Sequence, residues 1–84
     1  MEGLIEGRIV HYVLNEGFNI GQHRPAIVVR VWQTLPGENF MNGNCQLQVF
    51  TDEMNDGLPG VLLKTSVLFN EAGEPNSWHW IEKV

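Results

Sequence analysis

A cationic group before an apolar segment is the first feature of this sequence that could do chemistry. Arg24 lies between His23 and Pro25, directly before an apolar run. The proline favours an extended backbone at Arg24, and the planar guanidinium can then offer two parallel hydrogen bonds to a phosphate. His23 and His11 could add to the same positive site. These residues predict a phosphate-binding site; the alternative is an exposed charge that keeps the strand end soluble.

Aromatic side chains near the end of the chain could hold a flat ring. Trp78 and Trp80 are two positions apart, so a strand places both on one face and His79 on the other. Two indoles form a broad surface on which a nucleobase can stack, and Trp32 could serve in the same way. The alternative is that these tryptophans seal one end of a hydrophobic core.

A polar segment after the third apolar run supplies hydrogen-bond acceptors. The carboxylate and amide oxygens of Asp52, Asn55 and Asp56 could accept hydrogen bonds from the edge of a base. The alternative is a turn, because such side chains also bond to their own backbone. On the first apolar run, His11 and Tyr12 face opposite ways, so at most one of them lines any given pocket.

The sequence contains no motif typical of a catalytic centre. Glycine-rich phosphate loops and the GxSxG motif are absent. Cys45 is the only cysteine, and its position within a strand predicts a buried, inert thiol. The three histidines have no HxH or HxxxH spacing, so a metal site drawn from three separate regions is geometrically open but not predicted. We therefore expect a protein that is not an enzyme and holds no metal or cofactor.

Short runs of β-branched and aromatic residues must position these groups. The third run alternates cleanly, with Cys45, Leu47 and Val49 on one face. No segment shows a helical period with caps at both ends. Turn residues such as Pro36-Gly37 and Asn42-Gly43 separate the runs. The predicted strands are Arg8–Leu14, Ala26–Trp32, Asn44–Phe50, Val61–Phe69 and Trp78–Lys83.

Five short strands in 84 residues predict an all-β fold. We expect one domain over residues 1–84, a small, SH3-like, partly open antiparallel β-barrel. Its fourth strand is long enough to be bent. The loops 15–23 and 33–43 are long for hairpins, and long loops in compact domains often carry binding residues.

Charge and composition limit the possible partners. Ten acidic residues against five basic ones give a net charge of −5, which argues against binding to long nucleic acid. All three arginines lie within the first 30 positions, so a local anion site remains possible. No apolar run approaches the roughly 20 residues that span a membrane, and the acidic start of the chain lacks the pattern of a secretory signal. A cytoplasmic protein is therefore predicted.

Several segments resemble a group of small phage-encoded proteins. They are GRIVHYVL at 7–14, HRPAIVVRVW at 23–32, LQVFTD at 47–52 with Asn55-Asp56 after it, and SWHW at 77–80. The chain resembles in particular the anti-CBASS sponge family, whose members form oligomers and sequester cyclic dinucleotide defence signals without cleaving them. The resemblance implies a homotetramer or similar homo-oligomer with pockets shared between protomers, acting in the cytoplasm of the infected host.

These observations lead to one hypothesis and one alternative. The hypothesis is a non-enzymatic protein that sequesters a cyclic oligonucleotide, with cations for phosphate, indoles for stacking and acceptors for base edges. The alternative is a structural or protein-interaction module of a phage, an SH3-like barrel with an aromatic groove. The predicted ligand-binding residues are His11, Tyr12, His23, Arg24, Trp32, Asp52, Asn55, Asp56, Trp78 and Trp80.

Overall fold

The structure, a computed structural model, describes residues 2–32 and 43–82. Within these ranges the chain forms five strands and one turn of helix. The predicted loop 33–43 therefore lies almost wholly outside the described residues, as does Lys83 of the predicted last strand. The elements are β1 (Ile9–Val13), β2 (His23–Val31), β3 (Cys45–Phe50), α1 (Glu53–Asp56), β4 (Val61–Phe69) and β5 (Ser77–His79).

The five strands form a closed barrel in the order β1-β2-β3-β4-β5, and β5 pairs back with β1. Four of the five pairings are antiparallel, whereas β4 and β5 are parallel. Residues 70–76 fold back so that Ser77 begins β5 beside Leu68. The predicted all-β barrel of five strands is confirmed. The expected open edge is closed by the parallel β4–β5 pair.

The barrel interior is filled by alternate side chains of each strand. In β3 the predicted alternation is confirmed. Cys45, Leu47 and Val49 are buried, whereas Gln48 and Phe50 are exposed. Tyr12 and Trp78 are the largest side chains that are fully buried. The core contains Leu4, Val10, Tyr12, Leu14, Ala26, Val28, Cys45, Leu47, Val49, Val67 and Trp78.

The fourth strand is irregular opposite the start of β3. Cys45 pairs with Val67 but Leu47 pairs with Lys64, so β4 contains one extra residue between these pairs. Ser66 has a φ of 53°, in the left-handed region that a residue other than glycine rarely adopts outside bulges and turns. The strand keeps its predicted length of 61–69 and bends at this bulge.

Residues 53–56 form a helical turn, α1, where the sequence predicted only a turn. The helix ends at Gly57, whose φ of 68° is left-handed, and a Cβ there would lie 2.6 Å from the Phe18 ring. The Phe18 backbone N–H also donates to the Asp56 carbonyl at 2.8 Å. α1 is thus held against the segment between β1 and β2. In the described part of the chain, no helix has the length and apolar character needed to cross a membrane.

The ends of β2 and β5 differ from the prediction. β2 begins at His23 rather than Ala26, because His23 and Arg24 pair with Val13 and Tyr12. β5 has only three residues and ends at His79, and Trp80 to Glu82 continue the chain without strand pairing. β2 therefore begins beside Val13, the last residue of β1, and β5 ends beside His11 in the middle of β1.

Two leucines test this division between interior and exterior. Leu47 is fully buried, whereas the Leu63 side chain on β4 is 63% exposed. We expect Leu47→Ala to lower the free energy of unfolding by about 2–5 kcal/mol, because it leaves a cavity in the core. Leu63→Ala should cost less than about 0.5 kcal/mol. Urea denaturation measures both, and equal losses would contradict the described core.

Candidate metal centre

Three histidines and one glutamate converge on the outer surface of the barrel. They come from β1, β2, β5 and the tail that follows β5. One potential ligand atom from each side chain lies within 4.8 Å of the corresponding atoms of the other three. The four residues, called the histidine cluster below, are His11, His23, His79 and Glu82.

The strand register brings the three imidazoles together. His11 lies directly opposite His79 in the β1–β5 pair. On the other side of β1, His11 faces Pro25, and His23 is two residues before Pro25 on the same face of β2. The ring centroids are 4.5 Å apart for His23 and His79, and 5.9 and 6.0 Å from His11 to His79 and His23. Backbone pairing therefore fixes where the rings lie.

Glu82 holds the centre of the cluster. One carboxylate oxygen lies 2.7 Å from His11 Nδ1, and the other lies 2.7 Å from His23 Nδ1 and also contacts His79 Nε2. The pKa of Glu82 is lowered to about 2, because its carboxylate accepts hydrogen bonds from its own backbone N–H and from His79 and His11. All three rings thus direct a nitrogen at one ionised carboxylate.

The cluster has a buried side and a solvent side. The side chain of His79 is 8% exposed and that of His11 25%, whereas those of His23 and Glu82 are 40% and 48% exposed. His79 Nδ1 is buried and has no hydrogen-bond partner among the described residues. Packing and the Nε2 contact with Glu82 therefore set the orientation of this ring.

The donor set suits a first-row divalent transition metal. Imidazole nitrogen and carboxylate oxygen are ligands that Zn²⁺ and its neighbours favour. A tetrahedral zinc site with Zn–N distances of about 2.0–2.1 Å separates its ligand atoms by about 3.4 Å. The four ligand atoms of the cluster lie within 4.8 Å of one another, which is close to that spacing. The arrangement can therefore hold a metal through three nitrogens and one oxygen.

Two of the predicted ligand-binding residues are core residues. Tyr12 is fully buried, and its hydroxyl donates to Asn76 Oδ1 at 2.8 Å. Trp78 is also fully buried, and its indole N–H donates to the Gly43 carbonyl at 2.8 Å. The expectation that they face a ligand is corrected, because each side chain is enclosed by the barrel and the polar group of each already has a partner.

The other two predicted tryptophans lie near the surface in separate contacts. Trp80 is half-buried and packs edge-to-face on Trp78, with ring centroids 5.0 Å apart and the Arg8 guanidinium 5.4 Å from the Trp80 ring. Trp32 is exposed, with the Arg30 guanidinium 4.1 Å from its ring. The described structure brings neither indole into the histidine cluster.

Arg24 is committed to Asp56. Its Nε and Nη2 donate to the two carboxylate oxygens at 2.8 and 2.6 Å, and its side chain is only 17% exposed. Asp56 is fully buried and also accepts from Asn19 Nδ2 and the Asp52 backbone N–H, each at 2.7 Å. These hydrogen bonds hold the pKa of Asp56 well below its usual range, and those from Arg24 have the largest effect. The expected free guanidinium is therefore corrected to a structural ion pair between β2 and α1.

The remaining predicted acceptors lie on the surface, Asp52 just before α1 and Asn55 within it. Asp52 and Asn55 are exposed, and the Asn55 amide donates to the Asp52 carboxylate at 2.9 Å. An open cleft of about 620 Å³ brings Asp52 together with His23 and Arg24. Gln22, Pro25, Phe50 and Thr51 complete its lining.

The sequence left open, but did not predict, a metal site drawn from the three histidines, and all three belong to the cluster. His11 and His23 were instead predicted to support phosphate binding, and His79 was expected to face away from Trp78, which it does. Glu82 was missed. The spacing of His79 and Glu82, three residues apart, was the one local signal. The other ligands come together only through strand pairing.

Comparisons of this chain with protein-family models, with curated proteins and with solved structures find no match. The resemblance to the phage sponge family stays a prediction.

Replacing Asp56 by Asn tests the structural role of the ion pair. Asp56→Asn keeps the size of the side chain but leaves the Arg24 cation without its buried partner, so we expect the melting temperature at pH 7 to fall by more than about 5 °C. Asp52→Asn, an exposed change in the same segment, should shift it much less. Similar shifts for the two variants would contradict this assignment.

The same variant should change the dependence of stability on pH. A carboxyl whose pKa is lower in the folded state stabilises the fold fully above its usual pKa of about 4, and this contribution is lost as the pH falls through the folded pKa. Between about pH 5 and about pH 2, the wild type should therefore lose more stability than Asp56→Asn. Chemical denaturation at several pH values measures this difference, and identical slopes would contradict it.

Proposed function

We propose that this protein binds one divalent transition-metal ion, with Zn²⁺ as the best-fitting ion. The single observation that carries the proposal is the convergence of four ligand atoms within 4.8 Å, from three strands and the tail. The ligands are His11, His23, His79 and Glu82.

A simple anchor for the tail does not account for this arrangement. One histidine is enough to hold a carboxylate by a hydrogen bond, yet three rings direct a nitrogen at Glu82. Crowding three titratable rings around one carboxylate has no packing benefit that an apolar surface residue would not supply. A metal ion uses all four groups, and each ring then contributes a neutral nitrogen ligand.

The composition of the cluster selects among metals. Mg²⁺ and Ca²⁺ require mostly oxygen ligands, and the cluster offers three nitrogens and one carboxylate. Imidazole-rich sites favour zinc, copper, nickel or iron. Four ligands in a site without thiolates match the tetrahedral coordination of Zn²⁺.

The bound ion would link strands at β5, where the barrel has the fewest residue pairs. β5 contributes only two residue pairs to β1 and two to β4. A metal held by β1, β2, β5 and the tail links the last strand to two others through coordinate bonds. Metal binding and the stability of barrel closure are therefore coupled in this proposal.

Titration of metal-free protein with Zn²⁺ tests the proposal. We expect one ion per chain by calorimetry, and stabilisation by about 2.7 kcal/mol when free Zn²⁺ is 100 times the dissociation constant. Removal of a hydrogen-bond partner of a ligand already costs about 10–100-fold in metal affinity, so His23→Ala should cost at least about 10-fold. His23 is chosen because its side chain is more exposed than those of the other two histidines.

A matched pair of glutamate variants provides the control. Glu82 and Glu16 have nearly equal side-chain exposure, 48% and 47%, but Glu16 pairs with Lys64 instead of histidines. Glu82→Gln should weaken Zn²⁺ binding and Glu16→Gln should not. Weak binding in the wild type, or equal affinity in the wild type and His23→Ala, would contradict the proposal.

A second candidate function is the capture of a cyclic oligonucleotide by a phage protein in the host cytoplasm. The cleft lined by His23, Arg24 and Asp52 supports it, because three of the predicted binding residues share one surface. Exposed apolar side chains on β3 and β4, including Phe50, Val61 and Leu63, offer a surface for the proposed homo-oligomer. Self-association would supply further walls for a ligand of this size.

Calorimetry with a panel of cyclic di- and trinucleotides tests this second function. Specific binding at micromolar concentration should be weakened by Asp52→Ala in the cleft and unaffected by Glu16→Gln outside it. Light scattering on the same samples measures the oligomeric state. The absence of binding heat for every member of the panel would contradict nucleotide capture and would leave the metal proposal unchanged.

A further inference from the structure

We infer that the bound metal keeps one coordination position that exchanges with small oxyanions, and that Glu82 is the ligand that gives way. The inference rests on the proposed metal-binding function and deepens it. The ligand class is a phosphate or carboxylate group, either free or carried by a larger molecule such as a nucleotide.

The four ligands are anchored unequally. His11, His23 and His79 belong to paired strands, so backbone hydrogen bonds hold each of them. Glu82 lies three residues beyond the end of β5, in a segment without strand pairing. A change in the position of Glu82 can therefore use both tail and side-chain rotation, whereas strand pairing fixes the backbone of each histidine.

The ligand that gives way is also the one on the solvent side. The side chain of Glu82 is 48% exposed, so its carboxylate can return to water at little desolvation cost. His79, at 8% exposed, lies on the opposite, buried side. An incoming ligand reaches the metal from the side that Glu82 occupies, and the three nitrogens stay in place.

Charge balance selects an anion for this position. A divalent ion bound by three neutral imidazoles carries two positive charges, and the Glu82 carboxylate neutralises one of them. Another anionic oxygen ligand restores the same balance when Glu82 leaves. The nearby Arg24 is already neutralised by Asp56 at 2.6 Å, so the metal supplies the attraction for the anion.

The surface beside the cluster has room for the rest of such a ligand. His23 belongs both to the cluster and to the open cleft, which extends over Pro25 and Phe50 to Asp52. The apolar side chains of Pro25 and Phe50 offer contact to an organic group, while its anionic oxygen binds the metal. A phosphate or carboxylate carried by a small organic molecule therefore fits this arrangement.

Cobalt-substituted protein provides the test, because the visible absorption of Co²⁺ reports the number and kind of its ligands. The protein is loaded with one Co²⁺ and titrated separately with inorganic phosphate, acetate and adenosine monophosphate. We expect a saturable change in the visible spectrum with Co²⁺ retained by the protein. Half-saturation by the nucleotide at a lower concentration than by inorganic phosphate indicates that the cleft adds contacts; equal concentrations indicate that the oxyanion alone is recognised.

Variants identify the ligand that exchanges. In Glu82→Gln the carboxylate that competes with phosphate for the metal is gone. Half-saturation should therefore occur at a phosphate concentration at least about tenfold lower than in the wild type. Glu16→Gln should behave like the wild type. A spectrum unchanged by all three anions, equal half-saturation in wild type and Glu82→Gln, or loss of Co²⁺ from the protein would each overturn the inference.

This test separates metal binding from the exchange of anions at the metal. If the protein binds no Co²⁺, the proposed metal-binding function fails. If Co²⁺ binds in stoichiometric amount and its spectrum does not respond to anions, metal binding stands and only the exchangeable position is overturned.

Discussion

The pairing of β5 with β1 is the contact on which both the core and the histidine cluster depend. In this pair Tyr12 faces Trp78 and His11 faces His79. Neighbouring residues on a strand point to opposite sides of the sheet, so the same two pairs fill the interior with aromatic rings and place two imidazoles outside. β5 is only three residues long, which leaves the closure of the barrel with few backbone hydrogen bonds. A metal bound by the histidine cluster would reinforce this pairing from the outer surface.

The two ionised carboxylates with the most partners, Asp56 and Glu82, differ in burial. Asp56 is fully enclosed, and Arg24, Asn19 and the Asp52 backbone N–H occupy its oxygens, so it can only hold α1 to β2. Glu82 is half exposed and is shared by three histidines. A carboxylate in the second setting can leave its partners for water or for a metal ion. We therefore expect ligand exchange at Glu82 and a purely structural role for the ion pair of Asp56 with Arg24.

The sequence predicted features that depend on local alternation and missed those that depend on closure. The alternation of β3, the opposite orientations of His11 and Tyr12, and the burial of Cys45, whose pKa burial raises to about 12, all follow from a two-residue period. The partner of Arg24 could not be predicted, because α1 is one turn long and shows no helical period. The histidine cluster depends on the register between the first and last strands, which no local spacing encodes.

X-ray absorption spectroscopy on the zinc-loaded protein measures the coordination of the ion by the histidine cluster. We expect a four-coordinate Zn²⁺ with nitrogen and oxygen ligands at about 2.0–2.1 Å and the multiple-scattering signature of three imidazoles. In His23→Ala the signature should fall to two imidazoles. A zinc ion surrounded mainly by water and carboxylate oxygens, with one imidazole or none, would contradict metal binding by the histidine cluster.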